Sequence, residues 1–131
     1  MATTVCIIDD DDLARARMGQ MLQAEGFLVL EAENARLGLQ IVTEQAPDVV
    51  LIDLIMPDQD GIEAIAEFRR RWPEMPIVAI SGGGRIGPSL YLELARGLGA
   101  TACLSKPLSM DLFKEAIGLD DQADASNATS R

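Results

Sequence analysis

The sequence predicts an open, doubly wound α/β fold built on a parallel sheet. Short apolar runs alternate along the chain with stretches of helical periodicity. The runs are apolar at successive positions instead of alternating with polar residues, which is the pattern of strands covered on both faces. Each run is followed by a helical stretch before the next begins, and that order requires parallel strands joined by right-handed crossovers.

The elements follow in sequence. Val5–Ile8 is short, apolar and β-branched, a buried strand. From Leu13 to Ala24 the apolar residues Ala14, Met18, Met21 and Leu22 fall at helical spacing. Asp11 or Asp12 would cap this helix and Gly26 would end it. Phe27–Leu30 is the second strand, and Ala35–Glu44 a helix stopped by Pro47. Val49–Ile52 is a third strand, apolar throughout. Ile62–Trp72 is helical, with Ile62, Ile65, Ala66 and Phe68 on one side. Pro76–Ile80 is a strand entered through proline, Leu90–Leu98 a helix with Pro88 at its start, Thr101–Leu104 a strand, and Met110–Ile117 a last helix. Residues 118–131, GLDDQADASNATSR, have almost no apolar side chains and read as a flexible acidic and polar tail after one domain at 1–117.

Composition narrows the function classes. The 131 residues fit one domain, and 48% hydrophobic content is enough for a core. The formal charge is −10, from 21 acidic against 11 basic residues. That balance argues against a nucleic-acid surface, which needs Lys and Arg to neutralise phosphates, and against anionic membranes. There is no basic, apolar leader and no run of about 20 apolar residues that would span a membrane. Cys6 and Cys103 sit inside apolar runs, as buried thiols in a reducing cytoplasm would. The absence of histidine excludes a His-based triad and a phosphohistidine carrier, and the lack of both histidine and a CxxC pair argues against a structural zinc site.

In such a sheet, ligands bind beyond the carboxyl ends of the strands. Asp9 and Asp10 follow the first strand, Asp53 the third, Ser81 the fourth and Lys106 the fifth. Three carboxylates, a hydroxyl and an amine therefore converge on one edge. Two unit charges about 4 Å apart repel by roughly 4 kcal/mol at an effective dielectric near 20. A divalent cation relieves this, and oxygen-only ligands select a hard ion such as Mg²⁺. Asp11 and Asp12 are better explained as helix-start residues, where negative charge favours the dipole.

The Asp9–Asp10 pair, DLIMPDQDG at 53–61, Ser81 and Lys106–Pro107 together resemble the CheY-like receiver domain of two-component response regulators. The resemblance covers residues 4–117. It implies a flavodoxin-like five-stranded sheet of order 2-1-3-4-5 with helices on both faces. It implies that Asp53 accepts a phosphoryl group from a sensor histidine kinase or a histidine phosphotransfer protein, with Mg²⁺ as cofactor. Asp10 would bind the metal directly, Asp9 directly or through water, and the backbone carbonyl of Ile55 would be a further ligand beside Asp53. Ser81 would hydrogen-bond a phosphoryl oxygen, Lys106 would pair with the phosphoryl group, and Pro107 would follow a cis peptide bond. Gly82, Cys103 and Pro107 would belong to the switch and output region. With no output domain expected after residue 117, the receiver would act alone in the cytoplasm by binding an unnamed protein target, or would hand its phosphate onward.

Three features depart from the family pattern. Cys103 stands three places before the lysine, where an aromatic switch residue is common, so coupling would run through backbone and helix motion or be weak. The stretch SGGGRIGPSLY from Ser81 is long and glycine-rich, which reads as a flexible switch loop or a phosphate-cradling one, with Arg85 within it. Ile55 and Gly83 occupy positions that tune phosphoryl lifetime in the family, and neither can position an attacking water, so slow autodephosphorylation is expected. Among enzymes, a haloacid-dehalogenase-type phosphatase needs an acid where Ile55 stands. A flavin or nucleotide site needs a glycine- or serine-rich first loop where this chain has aspartates. A degenerate receiver that binds partners without phosphorylation is the remaining alternative.

Overall fold

The computed structural model describes residues 2–56, 61–82, 93 and 96–119. Its strands are β1 (Thr4–Ile8), β2 (Leu28–Ala32), β3 (Val49–Asp53), β4 (Ile77–Ser81) and β5 (Ala102–Ser105). All pair in parallel, in the order β2-β1-β3-β4-β5. The helices are α1 (Asp12–Ala24), α2 (Ala35–Gln45), α3 (Gly61–Arg71) and α4 (Met110–Ala116). The helix expected at 90–98 lies largely outside the described residues, as do Gly83, Arg85 and the tail from residue 120. Among the described residues, no helix is long and apolar enough to cross a membrane.

Strand periodicity divides the core into two layers. Cys6, Ile8, Val50, Ile52, Ile77 and Ala79 face α2 and α3, where Val42, Ile65 and Phe68 meet them. The alternate residues Val5, Ile7, Leu51, Val78 and Ile80 face Met18 and Leu22 of α1 and Phe113 of α4. Every residue of β3 and β4 is buried, as their continuous apolar sequences require. The edge strand β2 is different: Leu28 is half exposed and Glu31 faces solvent. β2 starts one residue later than its apolar pattern predicts, because the amide of Phe27 closes α1 on the Leu22 carbonyl (3.0 Å) and its ring packs edge-on against Phe113.

Local signals explain the boundaries. Asp11 caps α1 by accepting from the amides of Leu13 (3.0 Å) and Ala14 (3.1 Å), and Asp12 adds a carboxylate to the first turn. Asn34 and Ser109 cap α2 and α4 in the same way. Gly26 follows α1 at φ +94, a conformation a side chain would strain.

Phe68 is fully buried and joins α3 to β3 and β4 beneath the sheet edge. Phe68→Ala is expected to cost about 3–5 kcal/mol of stability, read by denaturant unfolding.

Candidate functional site

The parallel register decides which side chains meet. Ile8 pairs with Ile52, so the next residues, Asp9 and Asp53, leave neighbouring strands side by side. Asp53 pairs with Ile80 and Ser81 with Ser105, which brings Ser81 and Lys106 to the same edge. The amide of Lys106 donates to the Ser81 carbonyl at 2.9 Å. A cis peptide bond joins Lys106 to Pro107.

One amine spans the acids. Lys106 Nζ lies 3.1 Å from Asp9 Oδ2 and 3.2 Å from Asp53 Oδ2. Asp9 is fully buried and Asp53 is 6% exposed, whereas Asp10 faces solvent. Each buried carboxylate has its other oxygen fixed by backbone. Asp53 Oδ1 accepts from the Ile55 amide (3.0 Å), and Asp9 Oδ1 from the Asp11 amide (2.9 Å). Ser81 is fully buried at the end of β4, and Gly82 lies close enough that a methyl there would sit 3.5 Å from Lys106 Cδ.

The electrostatics are those of crowded acids around one cation. Burial pushes the Asp53 carboxyl above its usual range; the Ile55 amide and Lys106 oppose that, and Asp9 adds to it. Burial also disfavours the Lys106 ammonium, but Asp53 and Asp9 outweigh it and raise its pKa. One amine does not neutralise three acids. Carboxylate oxygens from Asp9, Asp10 and Asp53 come within 4.8 Å of one another, and the donor set is oxygen only. That set fits a hard divalent cation, with Asp10 open to solvent on the entry side.

The response regulator receiver domain model matches residues 5–118. This chain is a receiver domain. It is 31% identical over 120 residues to the Escherichia coli K12 transcriptional regulatory protein GlrR, covering 92% of this chain and 26% of that protein. It is 26% identical over 117 residues to the Bacillus subtilis sporulation initiation phosphotransferase F, covering 89% of this chain and 92% of that protein. A receiver domain structure from Clostridium thermocellum superposes with TM-score 0.79 at 29% identity, over 88% of this chain and 91% of that one. The receiver thus spans about a quarter of one relative and nearly all of another. Receivers are signalling switches, and phosphorylation on aspartate is general to the family.

The structure brings Asp9, Asp10, Asp53 and Lys106 together and sets Ser81, Gly82 and Pro107 around them. Ile55 is half exposed, and the described contact it makes is the amide to Asp53. Cys103 is elsewhere: half-buried on β5, it packs against the core layer shared by α2 and α3. Burial raises its thiol pKa, with Arg96 opposing. Two further residues shape the site without supplying a ligand to it. Gly61 is needed for space: a Cβ there would fall 2.3 Å from the Asp53 carbonyl oxygen, so α3 could not start so close to the acid. Arg15 reaches from α1 to the backbone of Asp9.

A raised Asp53 pKa has a definite stability sign. Protonation favours the folded state, so the ionised carboxylate costs stability above the unfolded value of 3.8, and progressively so up to the folded pKa. In metal-free buffer near pH 7, Asp53→Asn is expected to raise Tm by on the order of a few degrees. The gain should fade toward pH 3 in a calorimetric series; an unchanged gain there would contradict the assignment.

Proposed function

We propose that this receiver is a Mg²⁺-dependent phosphorylation switch in which Asp53 accepts the phosphoryl group. The observation that carries the reading is the Lys106 ammonium held within 3.2 Å of both Asp9 and Asp53, beside a three-carboxylate cluster open through Asp10. The donor is a phosphohistidine on a sensor histidine kinase or a histidine phosphotransfer protein. The N–P bond of that histidine breaks as a bond forms from an Asp53 carboxylate oxygen, and the imidazole leaves and takes up a proton.

Each residue has a part in this step. The Ile55 amide fixes the rotation of the Asp53 carboxylate, so the nucleophile is oriented before the donor arrives. Lys106 opposes the effect of burial on the charge of that carboxylate, then follows the growing charge on the phosphoryl oxygens. Asp9, Asp10, Asp53 and the Ile55 carbonyl would hold Mg²⁺, which when bound supplies neutralisation of phosphoryl charge. The Ser81 hydroxyl donates to a phosphoryl oxygen after transfer. Beside Lys106 and Pro107, a groove of about 350 Å³ lined by Met18 and Met21 of α1 gives the donor protein a seat. Cys103, Pro107 and Gly82 belong to the region that carries the change to a protein target. With a charge of −10, the target is a protein and not nucleic acid or a membrane, and the site of action is the cytoplasm.

The test is intact mass after exposure to a small acyl-phosphate donor, with and without Mg²⁺. One phosphoryl group should be gained only with Mg²⁺, and Asp53→Asn should abolish it. Lys106→Ala is expected to slow the reaction by about 10²–10³. No gain by folded, Mg²⁺-binding protein, together with partner binding indifferent to Asp53→Asn, would favour a phosphorylation-independent binding module. The phosphorylated state should also outlast a few minutes, since Ile55 offers no group to position water; decay within seconds would contradict that.

A further inference from the structure

We propose that Arg15 is a positioning residue for the cation site, acting on Asp9 and Asp10 through the backbone. The inference rests on the reading of Asp9, Asp10 and Asp53 as that site. Arg15 Nη1 donates to the Asp9 carbonyl at 2.7 Å, Nη2 to Asp12 Oδ1 at 2.7 Å, and Nε to Glu31 Oε1 at 3.0 Å. A single planar group thus ties the β1–α1 turn to the first turn of α1 and to the edge strand β2. The Asp9 carbonyl belongs to the peptide that links Asp9 to Asp10, so fixing it fixes the relative placement of two carboxylates.

The fork is built into the packing. The Arg15 side chain is 14% exposed although its carboxylate partners lie at the surface. Glu31 reaches it across a glycine: a Cβ at Gly19, one turn after Arg15, would sit 3.4 Å from Glu31 Oε2. The opposite side of the turn is held independently, by the Asp9 amide on the Ala32 carbonyl (3.1 Å) and by the Asp11 amide on Asp9 Oδ1. Asp9 is therefore clamped at its amide, its carboxylate and its carbonyl, and Arg15 supplies the third clamp. Charge alone does not explain this arrangement. Asp12 and Glu31 cancel the guanidinium locally, so what Arg15 delivers to the acids is geometry. Lysine has the charge without the fork.

Mg²⁺ binding by calorimetry tests the proposal, using wild type, Arg15→Gln and Arg15→Lys, with thermal unfolding as a control for folding. Arg15→Gln should weaken Mg²⁺ binding by about 10-fold or more, the range for groups that orient metal ligands. Arg15→Lys should recover only part of it. Phosphorylation by the acyl-phosphate donor should return toward the wild-type rate at saturating Mg²⁺, because the lesion lies in affinity. A purely structural Arg15 would lower Tm and leave the Mg²⁺ affinity within twofold, which would overturn the proposal. Wild-type affinity in Arg15→Lys would also overturn it, by showing that charge suffices; this variant carries the test if Arg15→Gln does not fold. Failure of wild type itself to bind Mg²⁺ would overturn the cation reading first and this role with it, so the two failures are distinguishable.

Discussion

Two buried carboxylates, Asp9 and Asp53, share one lysine. Burial opposes the charge on Asp53, and the fully buried Asp9 carboxylate beside it adds to that opposition. Lys106 makes the arrangement tolerable, with its amine almost equidistant from both. The arrangement stays short of neutral, because Asp10 adds a third acid and no second amine reaches the cluster among the described residues. This residual charge makes the site chemically useful. In the proposed function, a cation and a transferred phosphoryl group would enter a place whose charges are already fixed, so little rearrangement would be needed at the moment of transfer.

The fold exists, from this viewpoint, to hold those charges against their repulsion. Asp53 ends a strand buried along its whole length, and Asp9 follows another, so neither backbone can retreat. Phe68 and Ile65 hold α3 from one side of the sheet, and Met18 and Leu22 hold α1 from the other. Gly61 lets α3 begin against the Asp53 carbonyl, and its amide donates to the Leu54 carbonyl at 3.1 Å, which ties the start of α3 to the residue after the acid. A rigid double layer thus supports an edge whose side chains would otherwise move apart.

The strands and their order of use were legible in the sequence because buried parallel strands write continuous apolar runs, and VVLID and IVAIS do so plainly. Residues at strand ends were legible for the same reason: once the strands are placed, topology assigns Asp9, Asp53, Ser81 and Lys106 to one edge. The less legible features depend on tertiary approach. Nothing local shows that Gly61 meets a carbonyl oxygen, or that Arg15 turns inward while Arg17, two residues on, faces solvent. β2 was misplaced at its start because Phe27 is apolar like a strand residue, yet it serves the α1–α4 layer through Phe113.

The opening run of aspartates, Asp9 to Asp12, separates into four functions within four residues. Asp9 is buried and clamped, and Asp10 is exposed at the carboxylate cluster. Asp11 caps α1, and Asp12 braces Arg15. The last two serve the first two. A capped helix has a fixed start, and a fixed start places Arg15 one turn later, within reach of the Asp9 carbonyl. Without the cap, the first turn of α1 would be free to fray, and the guanidinium would lose its register with the turn it holds. The local sequence therefore sets its own geometry: two acids gather charge, and the next two keep them where that charge can act.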